Sequence, residues 1–181
     1  MDLLRTSEYA VTLTAEPRFD RMICFDGSGP CGPDSLWYRF EPLAREPWVG
    51  RFAHGAVEYS YVLATPSPRH CCVILSGQAY VVDVIHPDRT AALPHPDVVD
   101  HVSAPDDSLL VLITFTELIG ILKNGRWWES DRLASDEIRN VRVDGDRVRG
   151  EGWVAATDAW TPFTLDAQTG RVIEGGPGDS L

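Results

Sequence analysis

Three stretches of the chain follow one β-rich plan at a spacing of about 39 residues. Thr65–Asp83 and Ala104–Leu122 align without a gap, which sets Pro66 on Pro105 and Ile74 on Ile113. A third stretch, Val143–Asp166, joins them once a short insertion near Thr157 is allowed. Two turns extend the likeness: Asn124-Gly-Arg-Trp-Trp-Glu129 and Thr169-Gly-Arg-Val-Ile-Glu174 share a Gly-Arg turn, two strand residues and a Glu. A repeat of this length marks one supersecondary unit that buries its apolar face only by stacking on a neighbour.

Within each copy, short runs rich in β-branched and aromatic residues end at Gly, Pro, Asn and Asp, the pattern of strands and turns. The runs expected as strands cover Tyr9–Ala15, Met22–Phe25, Leu36–Glu41, Val49–His54, Tyr59–Ala64, Cys71–Leu75, Ala79–Ile85 and Val98–Ser103. They continue over Leu109–Phe115, Leu118–Lys123, Trp127–Ser130, Ile138–Val143, Val148–Val154, Thr161–Asp166 and Arg171–Glu174. Ser76-Gly77, Asn124-Gly125, Asp144-Gly145 and Thr169-Gly170 are tight-turn chemistry, because Gly or Asn accepts the positive φ of a hairpin. Thirteen prolines oppose long helices, and helical turns are expected only at Asp34–Trp37 and Leu133–Glu137. The expected fold is therefore all-β: antiparallel meanders with a propeller-like repeat of about 39 residues. A β-sandwich or an open barrel would give much the same local signals. At 181 residues a single domain is expected, with an irregular segment 1–61, repeat-like units 62–101, 102–140 and 141–176, and a frayed tail from Gly175.

Charge narrows the possible partners. A net charge of −11 opposes non-specific binding to nucleic acid and to anionic membrane surfaces, since both require Lys and Arg against phosphate. It favours solubility and a basic protein partner. The most apolar run, Leu109–Leu122, is interrupted by Glu117 and falls short of the ~20 residues of a membrane helix. Met1–Glu8 has no basic flank leading into an apolar stretch, so cytoplasmic residence is expected. Lys123 stands alone against fifteen arginines, a bias that fits the codon usage of a GC-rich bacterial genome. The four cysteines, Cys24, Cys31, Cys71 and Cys72, are too few for a disulfide scaffold, and free thiols are expected.

Catalytic signatures are sparse. Gly27–Gly32 formally matches a dinucleotide fingerprint, but an alternating aromatic strand follows where a helix would have to receive the phosphates. Ser76 lacks the elbow of a hydrolase serine. Cys72, two residues from His70 on one strand face, sits among apolar neighbours that make it core. The strand-ending Asp83 and Asp166 occupy equivalent places in two copies, where an Asx-type turn accounts for them. His86, His95, Asp97 and His101 form the one cluster whose residue types could ligate a metal, although their spacing matches no metal signature. The adjacent Trp127 and Trp128 must face opposite sides of a strand, leaving one for a binding surface or an oligomer contact. No cofactor is implied. The function expected from these features is non-catalytic: an acidic protein-binding module, in one version an immunity- or antitoxin-like inhibitor of a basic protein. The competing expectation is an enzyme with a loop-built site around His86–His101, and self-association is a third.

Overall fold

The computed structural model describes residues 2–15, 21–26, 32 and 34–176. All regular structure there is strand, apart from a single 3-10 turn at Pro87–Arg89. The strands form four sheets in two compact units, Met1–Val98 and Val99–Leu181. All-β meanders are thus what the chain builds.

In the first unit, β1 (Asp2–Arg5), β2 (Tyr9–Thr14), β4 (Leu36–Pro42) and β5 (Trp48–Phe52) pair antiparallel in that order. The strand β3 (Arg21–Phe25) lies beyond β5 and pairs with it in parallel, Arg21 opposite Trp48 and Phe25 opposite Phe52. Apart from this inserted strand, the segment read as irregular is itself a four-stranded meander. The second sheet follows chain order: β6 (Tyr61–Ala64), β7 (His70–Leu75), β8 (Gln78–Asp83) and β9 (Ala91–Ala92). Ser76 at φ 48 and Gly77 at φ 87 close the β7–β8 hairpin, both central residues left-handed, as the twist of a two-residue turn demands. The first two sheets share a core of Tyr9, Val11, Tyr38, Phe40, Trp48 and Phe52 against Cys71, Val73, Leu75, Tyr80, Val82 and Val84.

The second unit repeats the scheme. Its first sheet runs β10 (Asp100–Ser103), β11 (Leu109–Ile113), β12 (Leu118–Leu122) and β13 (Trp127–Glu129). The last runs β14 (Ile138–Asp144), β15 (Arg147–Val154), β16 (Ala159–Asp166) and β17 (Val172–Gly175). Leu109, Val111, Ile113, Leu118 and Trp128 of one pack with Val143, Val148, Phe163 and Leu165 of the other. The insertion near Thr157 lengthens the β15–β16 hairpin, whose strands run to eight residues each against five in β11 and β12.

One tie recurs in both units. The indole of Trp48, on the fourth meander strand of its sheet, donates to the carbonyl of Val84, just past the third strand of the next (2.9 Å). Trp128, at the same station, donates to the carbonyl of Ala167 (2.9 Å). The preceding aspartates also match. Asp83 Oδ1 accepts the backbone N–H of Ile85 and His86, and Asp166 Oδ1 that of Gln168 and Thr169. The Asx-type turn inferred from sequence holds the acceptor carbonyl in place on each side.

Several expectations need correction. Neither Asp34–Trp37 nor Leu133–Glu137 is helical: Leu36 already belongs to β4, and Leu133 and Ala134 are buried in the core, satisfied by packing. The short β1 and β9 carry too little pattern to be read locally and form by pairing with β2 and β8. The strand β17 reaches Gly175, the first residue of the tail expected to fray, and the part of that tail from Pro177 onward lies outside the described residues. Cys24 is disulfide-bonded, which corrects the expectation of free thiols at that position. Cys31 and the remainder of the Gly-rich loop from Gly27 to Cys31 lie outside the described residues. Cys71 and Cys72 are free and buried. Burial in the core pushes the Cys72 thiol up to about 12, so His70 does not activate it.

Candidate functional site

The histidine segment does not converge. His86 caps the 3-10 turn, its N–H given to Asp83, and lines clefts with Arg45. His95 Nδ1 lies 3.9 Å from Asp97 Oδ1. His101 lies on β10 opposite Leu112. Among the described residues, no three His, Cys, Asp or Glu side chains gather as metal ligands.

The tryptophan pair divides as the alternation of a strand requires. Trp128 is core: it is 8% exposed, hydrogen-bonded to Ala167, and laid across Gly120 and Gly170, whose missing side chains make room for the ring. Trp127 is 38% exposed and offers its indole on the other side.

A richer surface lies on the outward face of the last sheet. Because directly opposed residues share a face, the pairing of β14, β15, β16 and β17 orders that face into rows. Asp144, Arg147 and Asp166 form one row; Arg142, Arg149, Thr164 and Glu174 form the next. Arg139, Glu151 and Pro162 follow, then Trp153 opposite Trp160. Val143, Val148, Phe163 and Leu165 take the alternate positions and fill the core. Four arginines and four carboxylates therefore interleave on one sheet surface.

The geometry of this face is held by local contacts. The guanidinium of Arg139 lies over the Trp160 ring at 3.7 Å, and Trp153 meets Trp160 edge-to-face at 5.6 Å. Glu151 Oε2 accepts from Arg139 Nε at 2.8 Å and from the Asn140 amide at 2.9 Å, and these bonds pull its carboxyl below the usual carboxylate range. Asn140, at φ 56, marks a bulge where the β14–β15 register shifts between Arg139 and Arg142. Bulges of this kind re-aim side chains. Beside it runs a 430 Å³ groove lined by residues including Arg142, Arg149, Glu151 and Thr164. Planar, fixed Arg and Trp groups lose little rotamer entropy on contact, which suits them to anchoring a partner.

Sequence inspection missed Trp153 and Trp160, although a signal was present. They stand one residue outside the Val154–Ala159 pair that closes the Ala155–Asp158 turn, so the hairpin register alone sets them opposite each other. The Arg139–Trp160 contact had no such signal, because it depends on the bulge.

No family model matches the chain, and no curated protein matches it. Among solved structures, it is similar to hydrazine synthase of Kuenenia stuttgartiensis, at 15% identity and a TM-score of 0.40, over 87% of this chain and 48% of that one. It is also similar to the computationally designed Ika8 protein, at 13% identity and a TM-score of 0.39, over 98% of this chain and 61% of that one. The chain thus spans about half to three-fifths the length of these structures, and its chemistry rests on its own residues.

Proposed function

We propose that the protein is a non-catalytic recognition module whose contact surface is the outward face of β14, β15, β16 and β17. What supports this reading is the Arg139–Trp160–Trp153 stack, which places residue types favoured at interface hot spots on an exposed sheet, prearranged by Glu151. The interleaved arginines and carboxylates give the face a charge pattern that a partner must match row by row, a source of specificity. The net charge of −11 acts at longer range and favours capture of a basic protein, as an immunity- or antitoxin-like inhibitor would require. Pull-down from a lysate of the source organism tests this, at low and at moderate salt, with the wild-type chain beside Trp160→Ala. A stoichiometric basic partner, retained by wild type and lost by the variant, is expected. Absence of any stoichiometric partner at both salt levels, or equal retention by the variant, overturns it.

A further inference from the structure

We infer that a cleft in the first unit binds a small zwitterion with an apolar body, an apolar α-amino acid or a short apolar peptide. The cleft has a volume of 460 Å³ and opens where the β1–β2 turn and the β4–β5 connection approach the turn into β7 and the chain leaving β8. That volume lies within the range of small-molecule sites, roughly 300–1,000 Å³. Its floor is fixed: Tyr9 Oη donates to the His70 carbonyl at 2.8 Å, and Thr65 Oγ1 donates to the same oxygen at 3.0 Å.

The charges lining it select the ligand. Arg69 Nη2 lies 2.9 Å from Asp83 Oδ2, and the Asp83 side chain is only 4% exposed. This carboxylate is itself anchored by the N–H groups of Ile85 and His86, so it neutralises Arg69 and holds the guanidinium at the cleft wall. Two formal charges then remain on the lining, Glu8 and Arg45, and neither forms an ion pair among the described residues. A monoanion would meet Arg45 and be repelled by Glu8; a monocation would meet the reverse. A molecule carrying both charges pairs with both groups, its carboxylate also reaching the remaining N–H groups of Arg69. Ala44, Pro68 and Ile85 offer the apolar wall for its side chain. Nothing here draws on the residues of the fourth sheet, so this inference does not rest on the recognition reading.

Calorimetric titration of the intact chain with L-leucine and with leucyl-leucine tests the inference. 4-Methylpentanoate, lacking the ammonium, and leucinamide, lacking the carboxylate, serve as single-charge comparisons. Saturable binding of at least one zwitterion is expected, weakened about tenfold or more when either charge is removed from the ligand. Glu8→Gln and Arg45→Gln should each weaken it by a similar factor. Both residues are exposed, so their variants should melt like the wild type, which separates loss of the site from loss of the fold. Absence of saturable heat for both zwitterions up to about 10 mM, equal binding by either single-charge ligand, or wild-type affinity in both variants overturns the inference.

Discussion

Replacing Trp128 with Phe removes the tie between the two sheets of the second unit while keeping an aromatic ring in the core. The indole N–H is the hydrogen-bond donor to the Ala167 carbonyl, and Ala167 is 2% exposed, so water has little access to take its place. Leaving a buried carbonyl unpaired costs about 1–3 kcal/mol. The smaller ring also abandons part of the space over Gly120 and Gly170, and at about 25 cal/mol per Å² a loss of some 40 Å² of apolar contact adds about 1 kcal/mol. The expected total is about 2–4 kcal/mol, in keeping with single changes that break a named buried interaction. Urea denaturation followed by far-UV circular dichroism measures it. Amide hydrogen exchange at Val111 and Leu165 would locate the loss in the second unit, with Val73 and Val82 of the first unit unaffected. A loss below about 0.5 kcal/mol, or one shared equally by both units, would refute the reasoning, because the indole bond would then contribute no more than surface packing.

The same tie predicts that Trp48→Phe destabilises the first unit by a comparable amount through the Val84 carbonyl, read by exchange at Val73. Gly120→Ala should cost about 3 kcal/mol in a denaturation series, since a Cβ there overlaps the Trp128 indole and the surrounding core has no slack. Desolvation holds the His70 pKa below its ordinary value, outweighing the pull of Asp83, with Arg69 acting in the same downward sense. The unfolded chain therefore takes up the proton first, and stability present above about pH 6.5 should fall as the pH drops through that value toward the lower folded pKa. His70→Gln should flatten this segment of a stability-versus-pH curve, and an unchanged slope would rule the histidine out. Cys71 and Cys72 should resist a thiol reagent in the folded protein and react once it is denatured, because both are buried and their pKa values are raised.

Much of the fold was legible because the information is local. Ser76-Gly77 sits in a turn that needs two left-handed residues, and the short apolar run Leu109–Ile113, bounded by the turn residues Asp106-Asp107-Ser108, has the length of a fully buried strand. The parallel strand β3 was not legible as such. It separates β2 from β4 in sequence but not in the sheet, and this single displacement hid the meander in the segment 1–61. Function-bearing arrangements were harder still. Glu8, Arg45 and Arg69 share a cleft across some sixty residues, and Arg139 reaches Trp160 only because the strand bulges at Asn140. Composition did point to exposed tryptophan as a binding element, yet Trp128 of the pair it singled out is committed to the core.

The paired indole bonds also give the molecule two built-in clocks. An indole N–H that is buried and donated to a buried carbonyl exchanges with solvent only when the sheets on either side of it part. Its proton resonates apart from the backbone amides, so the Trp48 and Trp128 signals would time the opening of each unit separately within one spectrum. The repeated tryptophan is thus a joint and, equally, a gauge set at the point where each unit must yield.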